Sequence, residues 1–319
     1  MQVRLGYVAI ALNLPKVTSS STVTYSNYNK LLSMEKKIEK LKAVTLSNLD
    51  DLYTILKYTI ENQIHFYRIT SALVPLCTHP EVMWDYRKIF RKDFQRIGAF
   101  IKQHNMRVDT HPDEFNVLNS NRDEVVENTI RNLWFHAHFF EDMEYSEGKM
   151  VMHVGGGVGG KEKALERFKA NFNKTPQEIS SRIIIENDDK TFTTKEVLEL
   201  CKDLSIPMVL DVHHHICNNN GEKLTDLLGE IFQTWEGESL PPKIHFSSPR
   251  EGEKDRKHAD YIEAESFIRF LDIAKELGMD FDIMLEAKMK DLALFKLTED
   301  IKNLRPRWRW IDNSTLIIT

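Results

Sequence analysis

The stretch Pro207-Met208-Val209-Leu210-Asp211-Val212-His213-His214-His215 sets a carboxylate and three imidazoles directly behind a short apolar run. Unpaired charge is strongly disfavoured in an apolar interior, so such groups belong where a strand leaves the core and a cation or substrate can meet them. Asp with His is also the donor mixture that borderline transition metals prefer. A lone His or Asp at a strand end is more often a loop residue or a helix cap. Here the same kind of ending recurs along the chain. It is seen in His111-Pro112-Asp113, His153-Val154-Gly155-Gly156-Gly157, Glu186-Asn187-Asp188-Asp189, Lys243 with His245, His258-Ala259-Asp260 and Glu286-Ala287-Lys288. A catalytic zinc site takes about three protein ligands, and this set exceeds that. Two or three divalent ions bridged by carboxylates would use it all, and such clusters activate water and clamp both oxygens of a phosphoryl displacement. Neutral imidazole and ionised carboxylate favour Mn2+ or Zn2+ over Ca2+.

Those endings need elements to carry them. Residues 1–14 hold Val3, Leu5, Tyr7 and Ala9 in alternation and read as a first strand; the stretch lacks a small-residue cleavage site and ends in Asn13-Leu14-Pro15. Further strands are expected at 64–70, 106–110, 150–154, 183–186, 208–212, 243–247 and 281–286. Helical stripes lie between them: Leu49, Leu52, Leu56 and Ile60; Tyr86, Phe90, Phe94, Ile97 and Ile101; Val126, Ile130, Leu133 and Ala137. Later helices are expected at 161–172, 194–204, 224–235, 259–277 and 290–304. Eight alternating units predict an α/β fold, a (β/α)8 TIM barrel, as a single catalytic domain over residues 1–319. An open doubly wound sheet would more often carry a Gly-rich fingerprint after its first strand, and none is present there. The glycines from Gly155 to Gly160 lack the Lys-Ser/Thr of a nucleotide loop and read as backbone close to a metal or a phosphate. His136 and His138, two apart on a helix, do not face together and read as structural.

Composition narrows the function. With 41% hydrophobic and 29% charged residues and a net charge of -5, the chain resembles an ordinary soluble protein without a global basic field. Nucleic-acid binding must therefore rest on local patches. Candidates are Arg250, Lys254, Arg256 and Lys257 before His258, and Lys88, Arg91, Lys92 and Arg96 on the helix after the second strand. Cys77, Cys201 and Cys217 form no C-x-x-C pair and suit a reducing, cytoplasmic setting. No segment has the length needed to span a bilayer.

Taken in order, these motifs resemble the UV damage endonuclease family. Besides the endings above they include Arg4-Leu5-Gly6-Tyr7, Phe66-Tyr67-Arg68, Thr78-His79-Pro80 and Lys243-Ile244-His245-Phe246-Ser247-Ser248. The resemblance implies a barrel related to endonuclease IV, a cluster of commonly manganese ions, and DNA excision repair. It implies incision of double-stranded DNA on the 5′ side of pyrimidine dimers and 6-4 photoproducts, with abasic sites as a secondary substrate. It places metal ligands at His111, His153, Glu186, Asp211, His214, His245, His258 and Glu286, although strand alternation would put His214 opposite Asp211. Glu186, Asp211, Glu286 and Lys243 are the expected catalytic groups. Tyr7, His79, Glu114, Phe115, Arg250 and Arg256 are the expected contacts to DNA or lesion. At the probing pair, family members carry Gln followed by an aromatic, where this chain has Glu114-Phe115. The enzyme is expected to be a monomer, nucleoid-associated when acting.

Two residue readings stay open. Lys243 shares a face with His245 and is either carboxylated on its amine or paired with a carboxylate. Phe115 either enters a weakened base step or packs under its loop with Val117 and Leu118. The competing function is a metal-dependent sugar isomerase or epimerase on the same barrel, which needs fewer metals and no basic mouth.

Overall fold

In a computed structural model, which describes residues 1–318, eight parallel strands close into a barrel. They are β1 (Gln2–Val8), β2 (Phe66–Ile69), β3 (Arg107–Thr110), β4 (Lys149–His153), β5 (Ile183–Glu186), β6 (Met208–Asp211), β7 (Lys243–Phe246) and β8 (Phe281–Leu285). Each pairs in parallel with the next, and β1 closes the ring against both β8 and β2. The helices wrap the outside: α1 (Tyr25–Asn29), α2 (Met34–Glu61), α3 (Tyr86–Gln103), α4 (Asp123–Asp142), α5 (Lys161–Phe172), α6 (Gln177–Ser180), α7 (Thr194–Leu204), α8 (Val212–Cys217), α9 (Leu224–Gln233), α10 (Ala264–Ala274) and α11 (Lys290–Leu304). The fold expected from the sequence is the one observed.

Strand alternation sorts side chains to the two faces of the barrel wall. Val3, Leu5 and Tyr7 of β1 face the helix layer and join the main core, with the expected α3 stripe Phe90, Phe94, Ile97 and Ile101 buried against it. Each such side chain, fully buried, contributes about 1.5–3 kcal/mol. The barrel interior is divided. On one side Val151, Ile184 and Val209 pack with Trp235 as a small separate apolar cluster. On the other, charged residues are stacked. Asp282 accepts from Arg4 at 2.6 Å and from Arg107 at 2.7 Å. Asp109 takes the ammonium of Lys243 and has the Arg68 guanidinium 3.6 Å away. Gly6 faces Phe66 so closely that a Cβ there would meet the Phe66 carbonyl at 2.5 Å, so only glycine fits.

Three features depart from the sequence expectation. A hairpin of β9 (Arg309–Trp310) and β10 (Thr315–Ile317) follows the barrel and pairs antiparallel with the start of β1, Gln2 opposite Ile317. β2 reaches only Gly6 to Val8 of β1, so β10 covers the edge that β2 leaves open. The helix expected from Ala259 begins at Ala264, capped by the Glu263 carboxylate. Ala259 instead donates to the Ser248 carbonyl at 2.8 Å, and His258 bridges to Pro249. Finally, β6 passes directly into α8, with Asp211 as the helix cap. Among the described residues, no helix is long and apolar enough to cross a membrane.

Candidate active site

All eight barrel strands exit at one end, so the residues at their carboxyl ends converge. Glu186, at the end of β5, stands at the centre of four imidazoles. Its Oε2 lies 3.1 Å from His111 Nε2 and 3.7 Å from His153 Nε2. Its Oε1 lies 2.9 Å from His245 Nδ1 and 3.4 Å from His214 Nδ1. Glu286, just beyond β8, approaches His245 Nδ1 at 3.4 Å and His258 Nδ1 at 3.8 Å. The strand alternation that set His214 apart from Asp211 does not apply, because both lie at the start of α8, where Asp211 Oδ1 accepts from the His214 backbone at 2.8 Å. Asn187 ties the ends of β5 and β6 together. Its side chain accepts from Asp211 N and donates to Asp211 O, and its carbonyl lies 2.9 Å from His214 Nδ1.

Three overlapping donor sets result: His111, His153 and Glu186; Glu186, Asp211 and His214; Asp211, His245 and Glu286. Within each set the donor atoms lie within 4.8 Å of one another, and Glu186 and Asp211 each belong to two. Asp211 Oδ2, His153 Nδ1 and His245 Nδ1 are buried without a hydrogen-bond partner. Buried polar atoms are nearly always satisfied, so Asp211 Oδ2 and His245 Nδ1, which face the other donors, fit a divalent cation as the missing partner. His258 stands at the rim, outside the three sets.

Electrostatics divides the groups further. Burial alone would raise the Glu186 pKa, but the charges of His245 and His153 and hydrogen bonds from His111 and His214 hold it well below the usual carboxylate range. Burial also works against an ionised Glu286, yet the Arg68 guanidinium, followed by His245, lowers its pKa. Asp211 goes the other way: burial, helped by Glu186 and Glu286 and opposed by His214, raises it to about 8. Burial pushes His245 down to about 3, which keeps the imidazole neutral, as ligation requires. His214 is raised to about 11 because Asp211 and Glu186 outweigh its burial.

The sequence reading missed Arg68. It donates to Glu286 Oε1 at 2.5 Å and contacts His245 Nε2 at 2.6 Å. The other ring nitrogen of His245, Nδ1, is the one turned toward the carboxylates of Glu186 and Glu286. The signal was available, since Arg68 is a charged residue near the carboxyl end of a strand, as the candidate ligands are. Lys243 is fully buried and paired with a carboxylate, the second of its two readings; the carboxylate is Asp109, and burial brings the lysine pKa down to about 7.

The model of the UV-endonuclease UvdE family matches residues 3–310. The chain belongs to that family. A UV DNA damage endonuclease of Bacillus mycoides (strain KBAB4) is 42% identical over 317 residues, 99% of each chain. The crystal structure of SacUVDE superposes with a TM-score of 0.84 at 37% identity, covering 95% of this chain and 99% of that one. Endonuclease IV from Thermus thermophilus shares the fold alone, with a TM-score of 0.55 at 14% identity over 89% of this chain and 92% of its own.

The residues expected to meet DNA fall into two groups. Phe115 is 80% exposed, and neighbouring Glu114 is exposed, while Leu118 is buried. Packing of Phe115 under its own loop is therefore excluded. The loop's base is fixed by bonds from Val117 N to Thr129 and from Asn119 to the Gly156 carbonyl. Arg250 and Arg256 are exposed on the loop closed by the Pro249–His258 bridge, with Arg256 3.5 Å from Asp189. His79 is half-buried and stacked on Tyr25. Tyr7 is a correction. It is fully buried in the helix layer, with its hydroxyl 2.7 Å from Thr59 and its ring against Tyr67, because alternation along β1 turns it away from the mouth. Two members of the second basic group on α3 are occupied: Arg96 pairs with Asp50 and lies over Tyr53, and Lys88 pairs with Asp85.

Proposed function

We propose that this chain is a metal-dependent DNA repair endonuclease that nicks the phosphodiester 5′ of UV photoproducts, with abasic sites as a further substrate. The observation that carries the reading is the set of overlapping carboxylate and imidazole donors at the barrel mouth, with buried atoms that lack partners. Membership of the UvdE family supports DNA as the substrate over the sugars of an isomerase or epimerase. His111, His153, Glu186, Asp211, His214, His245, His258 and Glu286 would hold two or three divalent ions, Mn2+ first and Zn2+ second. Such ions, when bound, lower the pKa of water and offset charge on the oxygens of an in-line displacement.

The chain's own residues do the rest. Glu186 and Asp211, shared between donor sets, hold those sets in fixed relation. Arg68 keeps Glu286 ionised and orients His245, while Lys243, Asp109 and Arg68 form a polar floor beneath the cluster. Phe115 is placed to enter a base step, at least cost where a lesion has already weakened stacking. Arg250 and Arg256 would meet phosphates flanking the site. The protein would act as a monomer on DNA in the cytoplasm. The test is nicking of supercoiled plasmid, UV-irradiated or intact, with Mn2+ or after chelation. Damage-dependent nicking that chelation abolishes is expected. Equal nicking of both plasmids, or none, would defeat the reading.

A further inference from the structure

The mouth loops after β1 and β2 meet at one surface pair that the proposed reaction does not use. Tyr25, on α1, stacks on His79 with ring centroids 4.1 Å apart and planes 16° from parallel. Tyr28 extends the stack at 6.2 Å and 20°. The Tyr25 hydroxyl is hydrogen-bonded to Glu81, and the backbone N–H of that same Glu81 donates to His79 Nδ1 at 3.3 Å. A ring nitrogen that accepts from an amide carries no proton, so the neutral imidazole bears its hydrogen on Nε2. The turn is fixed from both sides, since His79 N donates to Leu76 O, and Val82 N and Met83 N donate to His79 O.

Position supplies the purpose. Thr22 from the first loop, Thr78 from the second and Asp113 from the third line one cleft of about 190 Å³, along with Asn116 and Asn132. Asp113 opens the loop that carries the exposed Phe115. Thr78, the residue before His79, and Asp113 thus line one cleft, which sets the Tyr25–His79 pair one residue from its wall. We infer that Tyr25 is a positioning residue for DNA binding, holding the His79 ring so that Nε2–H donates to a backbone phosphate beside the lesion. This rests on the reading of the chain as a DNA endonuclease. Glu81 sets the tautomer and Tyr25 sets the plane, and together they give a donor oriented before DNA arrives. A neutral donor adds affinity without displacing a counterion, which distinguishes it from the Arg and Lys contacts nearby.

The test measures binding of a fluorescein-labelled duplex carrying one thymine dimer, across a salt series, for the parent and for Tyr25→Ala, Tyr25→Phe, His79→Ala and the Tyr25→Ala/His79→Ala double variant. Nitrogen-15 spectra of the imidazoles report the His79 tautomer independently of binding or activity. Tyr25→Ala and His79→Ala are each expected to weaken binding by about tenfold. The double variant should be no weaker than either alone, as for two residues acting as a unit. Tyr25→Phe, which keeps the ring, should bind within about twofold of the parent. The salt slope should stay the same throughout, and the Nε2–H signature should blur in Tyr25→Ala. Normal affinity in Tyr25→Ala with a loss in His79→Ala would remove Tyr25 and leave His79 as a DNA contact. A salt slope reduced by about one in His79→Ala would mean a charged contact and overturn the neutral donor. If the parent does not nick the dimer duplex, the endonuclease reading fails on its own, and the binding series still decides on Tyr25.

Discussion

Replacing Glu186 by Gln keeps its volume but removes the charge that four imidazoles face. Bound metal, measured by elemental analysis, and incision of a dimer-containing duplex should fall together. The fall should exceed the roughly 10–100-fold that outer-shell partners cause. Unchanged metal content would take Glu186 out of direct ligation. Arg68 acts differently, because it touches carboxylates rather than an ion. Arg68→Met leaves Glu286 and Asp109 each short of a buried cation and should cost about 3 kcal/mol in denaturant unfolding. A full-strength Arg68→Met protein would mean that these carboxylates are neutralised by other means. His136 permits a pH test away from the ligands. Burial, with a smaller contribution from His111, pushes it down to about 3, so its folded pKa is below the unfolded value of 6.5. Its contribution is therefore fully present above pH 6.5 and is lost as the pH falls toward 3. Between pH 8 and pH 5 the parent should lose about 2 kcal/mol more stability than His136→Leu. Parallel pH profiles would show that His136 is protonated in the fold.

At the scale of elements, the loop after β3 makes the sharpest forecast. Phe115 is exposed while the loop's base is hydrogen-bonded, so Phe115→Ala should leave the melting temperature and metal content unchanged. Damage-specific incision of a defined dimer should nonetheless drop by about tenfold or more, since base-stacking contacts are worth about 1–3 kcal/mol each. An earlier melt with normal incision would place the probe elsewhere. The same loop shows what a sequence can and cannot convey. The eight barrel strands were legible because each is a short apolar run ending in a polar group, and the residues of the three donor sets were legible as those endings. Arg68 and Asp109 escaped because each sits within a strand, where alternation says which wall a residue faces but not which partner stands opposite. Tyr7 was misplaced for the complementary reason, since a motif match outweighed the period-2 pattern that turns it outward. The β9–β10 hairpin is too short to carry a period, and its place follows from the edge of β1 that β2 leaves open. The Asp211–His214 relation was obscured because a strand turns into a helix between them.

On the scale of the whole molecule, the barrel holds charge along its interior from Arg4, Asp282 and Arg107 up through Lys243, Asp109 and Arg68 to the mouth. Unpartnered buried atoms run along the column, on Arg107, Asp109 and Arg68 as well as on His153, Asp211 and His245, and the uppermost group is the one whose donors form the three overlapping sets. Cation uptake there must exchange with protons. His214 is raised to about 11 by its carboxylate neighbours, against the effect of burial, and burial raises Asp211 to about 8. In the cation-free protein His214 holds a proton at pH 7, and Asp211 is shifted toward its protonated form. His214 thus contributes stability that is present at neutral pH and is lost only as the pH rises through about 11. Asp211 has the same sign in a lower range: with a carboxyl pKa raised above 3.8, it too withdraws stability as the pH climbs, from there toward 8. A divalent ion needs both groups deprotonated, so its binding should release protons and tighten steadily with pH between 6 and 8. The measurement is calorimetric titration of chelator-treated protein with Mn2+ in two buffers of different ionisation heat. Release of at least one proton per protein at pH 7 is expected, and His214→Gln should remove about one of them. Binding that ignores both buffer and pH would mean that His214 and Asp211 already lack their protons, and the cluster would then have to be assembled around other ligands.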